Sequence, residues 1–197
     1  MEEQKITEQE SLQLIQQMIQ VAKADYRENG DGWLIWGWLL FIASVSSGVL
    51  SYLQIKGYIG WIWTGMLIVG MLLYIFFHVL KKKDEKVKTY VQELLDRIGT
   101  GFFISLFAIV AAGFIINSSY GFGYYYILYA FWMYIHGSAI RFRPLIIGAF
   151  VNWIAAIAIF LLTDIAQIMA VSAFAVLVGY LIPGYMLRAE YRKKMKL

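Results

Sequence analysis

The chain has 197 residues, 60% of them hydrophobic, with 17 lysines and arginines against 13 acidic residues and no cysteine. Soluble domains hold roughly 45–50% apolar residues, and the excess here lies in runs that approach the ~20 residues a bilayer crossing requires. The missing thiols exclude a disulfide framework, a thiolate metal site and a cysteine nucleophile. The net charge of +4 sits at the ends of apolar runs, which is a membrane pattern and not a nucleic-acid-binding face.

Residues 1–32 form the first segment. Its start is polar and acidic, so no secretory signal is expected and Trp33–Leu53 acts as an uncleaved first crossing. From Thr7 to Tyr26 the spacing predicts an amphipathic helix, opened by the capping box Thr7-Glu8-Gln9-Glu10 and striped by Leu12, Ile15, Ile19 and Ala22. Asn29-Gly30-Asp31-Gly32 ends it. This helix is expected to lie on the membrane or the protein's own loops, or to dock a cytosolic partner.

The first span carries Trp33, Trp36 and Trp38 at its start, as interfacial aromatics would be placed. Ser44, Ser46, Ser47 and Gly48 follow in its middle, small enough for close helix approach. Lys56-Gly57 makes a turn into the second span, about Tyr58 to Leu80. The basic run Lys81, Lys82, Lys83, Lys86 and Lys88 is too charged to enter a bilayer and sets the topology. A linker helix over residues 84–98 follows. Gly99-Thr100-Gly101 is expected to separate it from the third span, about Phe102 to Ile116.

The fourth span, about Phe122 to Ile140, is dense in tyrosine. Arg141-Phe142-Arg143-Pro144 is a tight basic turn, with Pro144 suited to the first turn of the next helix. The fifth span runs from Leu145 to about Leu162, and Thr163-Asp164 turns the chain. The sixth span runs from Ile165 to about Leu187, where Pro183-Gly184 should kink or loosen it. A basic tail, residues 188–197, closes the chain.

The fold class expected is therefore an all-α polytopic membrane bundle: six transmembrane helices in three hairpins over residues 33–187, plus two cytoplasmic amphipathic helices. Lys and Arg gather in the N-terminal segment, the linker, the 141–144 turn and the tail, while the other side has Lys56 alone. The positive-inside rule then places both termini in the cytoplasm.

Few groups in the spans carry chemistry. His78 and His136 lie near the basic ends of their spans, with no third ligand for a metal. Asn152 is about 12 Å into the fifth span, where a buried amide needs a partner. One reading is an interhelical hydrogen bond. The other is a polar pocket in the inner leaflet formed by Trp132, Tyr134, His136 and Asn152, with Arg141 and Arg143 at its mouth to hold an anionic lipid. No nucleophile, acid and base cluster together, so neither an enzyme nor a cofactor is expected.

Four stretches resemble a known group of proteins. They are Glu10-Ser11-Leu12 with Met18-Ile19 and Ala22-Lys23; Leu34-Ile35-Trp36-Gly37-Trp38; Phe142-Arg143-Pro144-Leu145-Ile146-Ile147-Gly148; and Gly179-Tyr180-Leu181-Ile182-Pro183-Gly184-Tyr185-Met186-Leu187. Together they resemble an uncharacterised family of about 200-residue inner-membrane proteins of Bacteroidetes-type bacteria. The resemblance covers nearly the whole chain, identifies a fold more than a chemistry, and brings no established active site. Its members stand beside small winged-helix regulators, which implies a sensing or envelope-stress role. A non-enzymatic sensory, regulatory or scaffolding membrane protein, acting as an oligomer or through a cytosolic partner, is the leading expectation. A small-solute or lipid transporter or binding protein is the alternative.

Overall fold

The computed structural model describes residues 29–81, 90–116 and 121–194. Among them the chain is all-helical, without a strand. Helix α1 spans Asp31–Tyr52, and a 3-10 turn at Lys56–Tyr58 leads into α2, Ile59–Lys81. Then come α3, Tyr90–Ile116, α4, Gly121–Ala139, and α5, Arg143–Leu161. Helix α6, Ile165–Val176, passes through a π-helical turn at Leu177–Leu181 into α7, Ile182–Lys194. The expected N-terminal amphipathic helix and residues 84–89 of the linker lie outside the described residues.

Among the described residues four stretches are long and apolar enough to cross a membrane: Asp31–Tyr52, Glu93–Gly113, Arg143–Leu161 and Ile165–Lys193. This is the composition of a membrane protein. Helix form follows from it, because lipid offers no partner for backbone N–H and C=O groups and a helix satisfies its own. Helix α2 holds a shorter apolar stretch, Ile59–Leu73, and α4 is a 19-residue helix rich in aromatics.

The tightest part of the bundle is α4 against α5 and α1 against α6, with the π turn packed on α1 and α5. Small side chains allow the second contact. Helix α1 buries Gly37, Ala43, Ser44, Ser47 and Ser51 on one face, and a Cβ at Gly48 would stand 3.3 Å from that of Met169. Without a hydrophobic force between helices in lipid, such close packing is what holds them together. Helix α2 packs on α1, and α3 packs on α4.

Two helix ends close in the same way. After α1, Ile55 N–H donates to the Leu50 carbonyl at 2.9 Å and Gln54 N–H to that of Ser51 at 3.0 Å. After α4, Phe142 N–H donates to Gly137 at 2.8 Å and Arg141 N–H to Ser138 at 3.2 Å. These are Schellman closures, which need a left-handed residue just past the helix. Gln54 (φ 63°) and Arg141 (φ 55°) fill that position.

Two sequence expectations change. Gly99-Thr100-Gly101 does not break the chain, and residues 90–98 run directly into the third span as one helix. The Thr100 hydroxyl donates to the Asp96 carbonyl at 2.9 Å and stays within helical geometry, while Gly99 packs under the Trp132 ring. Pro183 does loosen the last span, but the loosened turn lies before it and not at Pro183-Gly184. Pro183 has no N–H for the Gly179 carbonyl, and the backbone absorbs this by widening one turn earlier. There Ile182 N–H donates five residues back to Leu177, and the helix continues to Lys194.

Candidate functional site

The six residues expected to form an inner pocket do not gather around one space. Trp132 and His136 do meet, with ring centroids 5.2 Å apart. His136 is buried and also lies edge-on to Trp33 of α1 at 5.1 Å, so it is packed between two indoles. Tyr134 is two residues away and faces elsewhere. It is exposed and stacks on Trp153 and Phe150 of α5 at 5.6 Å and 6.3 Å. Arg141 and Arg143 are exposed, and Arg141 serves as the left-handed cap of α4. The side chain of His78 lies outside the described residues.

Asn152 is buried at 1% exposure but faces no cavity of the pocket expected for it. Its Nδ2 donates to the Gly148 carbonyl at 2.8 Å and to Met133 Sδ at 3.5 Å. Gly179 of the π turn packs directly on its amide, and a side chain at Gly148 would collide with the Gly179 carbonyl. Asn152 therefore belongs to a closed contact of α4, α5 and the π turn.

A cavity of about 330 Å³ lies elsewhere, between α1, α2, α3 and α4. Ligand sites occupy roughly 300–1,000 Å³. It occupies the end of the bundle that carries the α1–α2 turn, away from Lys81, Arg141 and Arg188. Its floor is Leu40 with Tyr126 and Tyr129; Trp63 and Met66 form one wall and Leu106 and Val110 the other.

Three of its hydroxyls are engaged by the protein, while Trp63 Nε1 is buried without an acceptor among the described residues. Tyr126 donates to the Ser172 carbonyl at 3.1 Å. The Tyr129 oxygen accepts from Trp36 Nε1 at 3.2 Å. Thr64 donates to the Gly60 carbonyl at 2.9 Å. No lysine, arginine, histidine or carboxylate lines the space, and no group of three metal-ligating side chains occurs among the described residues. What the cleft offers is a largely apolar, aromatic volume, with several of its polar groups held by internal hydrogen bonds. The tyrosines and Trp63 are visible in the sequence as aromatics of a span, but nothing in their spacing says that they border a space.

At the opposite end, Asn29, Asp31 and Arg188 join the two ends of the described chain. Asn29 Nδ2 donates to Asp31 Oδ2 at 2.7 Å, and Arg188 Nε pairs with Asp31 Oδ1 at 3.3 Å. Gly30, with φ of 74°, lets the backbone pass beside Gly184 and Arg188. No protein-family model, no curated protein and no solved structure matches the chain.

Proposed function

We propose that the chain is a six-span integral protein of a bacterial inner membrane, both termini cytoplasmic, which binds an apolar molecule in the α1–α4 cleft and acts without catalysis as a sensor or regulator. The cleft is the observation that carries this reading. A bundle built only as a scaffold gains packing by filling such a space, since each void forfeits contacts. Here three of the lining hydroxyls are tied back to the protein, while the buried Trp63 Nε1 has no acceptor among the described residues, in a largely apolar volume of ligand size.

Six crossings add α2 and α4 to the four stretches named above. In favour of this, the chain enters α1 and leaves α7 at one end, joined by Asp31 and Arg188. The basic residues of the linker, the 141–143 turn and the tail support a cytoplasmic placement of that end. The helix-end motifs around Trp36, Pro144 and Pro183 support placing the chain with the inner-membrane proteins it resembles. A cytosolic partner or a second copy would then receive the signal.

The test is native mass spectrometry of the full chain released from its own membrane in mild detergent. A co-purified apolar molecule is expected, together with a fall in melting temperature when it is stripped and recovery when membrane extract is restored. A chain that carries nothing, and whose melting temperature ignores added extract, refutes the reading.

A further inference from the structure

The cleft has a floor and two walls, but its outer side is a seam. Helix α2 is held mainly by α1, with Trp63 also against Phe122 of α4 at 5.3 Å, and α3 mainly by α4, with Phe103 also against Trp36 of α1 at 6.1 Å; among the described residues α2 and α3 share no contact of comparable extent. Yet both line the cleft. A boundary that few contacts cross opens more cheaply than one packed along its length. The lateral route between α2 and α3 is thus the weakest boundary of the space.

The depth of the cleft corresponds to one leaflet. Its α4 lining runs from Gly121 to Tyr129 and its α2 lining from Ile59 to Leu67. Each covers about 12 Å of helix axis, against about 15 Å for half of a bilayer core. At the shallow end Tyr52, Tyr58 and Trp61 are all strongly exposed, as aromatics are at the headgroup level. The lining offers no counter-charge, and an ion buried without a partner is strongly disfavoured. A charged solute does not fit, whereas a hydrocarbon chain needs nothing more than this.

We infer that the occupant is the acyl chain of a membrane lipid, which enters sideways between α2 and α3 while its headgroup stays beside the α1–α2 turn. This rests on the cleft being a binding site, as proposed above, and adds the class of ligand and its route. Glycines on both walls provide the means to test it. A Cβ at Gly60 would meet no atom within 4 Å, and at Gly113 its nearest neighbour is the Tyr125 hydroxyl at 3.9 Å. Leucine at either position enters the space without displacing the backbone. Gly101 is equally open but outside the lining, so Gly101→Leu is the matched control.

The full chain is placed in phosphatidylcholine–phosphatidylglycerol vesicles with a phosphatidylcholine bearing a diazirine in mid-chain. It is then irradiated and its adducts are mapped by peptide mass spectrometry. Adducts on Trp63 and Tyr125 should saturate with probe fraction in the parent chain. They should fall at least about tenfold in Gly60→Leu and in Gly113→Leu, as expected when a leucine fills an apolar pocket, and stay unchanged in Gly101→Leu. Adducts on the exposed Ile104 and Phe107 should be the same in all. Because the two substitutions lie on different helices, a folding failure in one leaves the other decisive. Equal labelling of Trp63 and Tyr125 in the filled variants overturns the inference. A retained non-lipid mass without acyl adducts in the cleft overturns the inference alone, and the absence of both overturns the binding role as well.

Discussion

Asn152 illustrates how a polar residue in a span is used when no ligand is involved. Its amide returns one hydrogen bond to its own helix, at Gly148, and rests on Met133 and Gly179. Hydrogen bonds between helices in membrane bundles contribute about 0.6–2 kcal/mol, and of the two that Asn152 makes, the weak one to Met133 Sδ crosses to another helix. Asn152→Leu should therefore lower the melting temperature in detergent modestly and leave acyl labelling of the cleft unchanged. Gly148→Val should cost more, about 1–3 kcal/mol, because its Cβ would run into the Gly179 carbonyl. Loss of the co-purified molecule in Asn152→Leu would return the site to the inner cluster. The tryptophans make a related point. Trp33 and Trp36 read as interfacial anchors, but Trp33 is 4% exposed, and Trp36 reaches inward to hold Tyr129. Trp38 alone of the three keeps an exposed position, where it donates to the Tyr185 hydroxyl at 3.0 Å.

At the scale of the helix, the expected breakers proved weaker than the pattern around them. Glycine costs a helix about 1 kcal/mol against alanine, which two positions in a 27-residue helix can absorb. At about 40 Å by helical rise, α3 is longer than the ~30 Å hydrocarbon core, and its exposed Glu93–Arg97 pair lies in the first turns of the apolar stretch Glu93–Gly113. The Schellman ends are where composition and geometry disagree. Gln54 adopts a left-handed conformation that a side chain disfavours by about 1–2 kcal/mol, at an exposed site with nothing else demanded of it. Gln54→Gly should raise stability by up to about 1 kcal/mol once the unfolded-state entropy of glycine is subtracted. Thermal unfolding in detergent against the parent chain measures this. A loss of stability would mean that the Gln54 side chain holds the turn by a contact of its own.

Among the described residues the molecule consists of a compact group of α1, α4, α5 and the α6–α7 rod, with α2 attached mainly on α1 and α3 mainly on α4. The Asp31–Arg188 pair is half-exposed and contributes at most about 1 kcal/mol. Its significance is positional, since it brings both ends of the described chain to one end of the bundle. A reporter active only in the cytoplasm should therefore work when fused after Leu197 or inserted at Lys83, and should be silent at Ser119 and at Asp164. Activity at Ser119 would mean that α3 and α4 do not both cross, and the six-span reading would be lost.

That the described chain is helical, and where several of its helices turn, was legible in the sequence. An apolar run in lipid has to satisfy its own backbone, and turns such as Arg141–Pro144 and Thr163–Asp164 carry residues that cannot continue in hydrocarbon. Which face of each helix turns inward was not legible. In water a buried face is apolar and an exposed one polar, but in lipid both are apolar, so periodicity no longer distinguishes them. Tyr129 is buried and Tyr124 exposed on the same helix, with nothing in their chemistry to separate them. Only the tertiary structure decided that Asn152 is sealed between α5 and the π turn, that Tyr134 faces away from it, and that α2 and α3 stand apart over a cleft. Those outcomes depend on how closely neighbouring backbones approach, which is set by pairs of residues far apart in the chain, Gly148 against Gly179 and Gly48 against Met169.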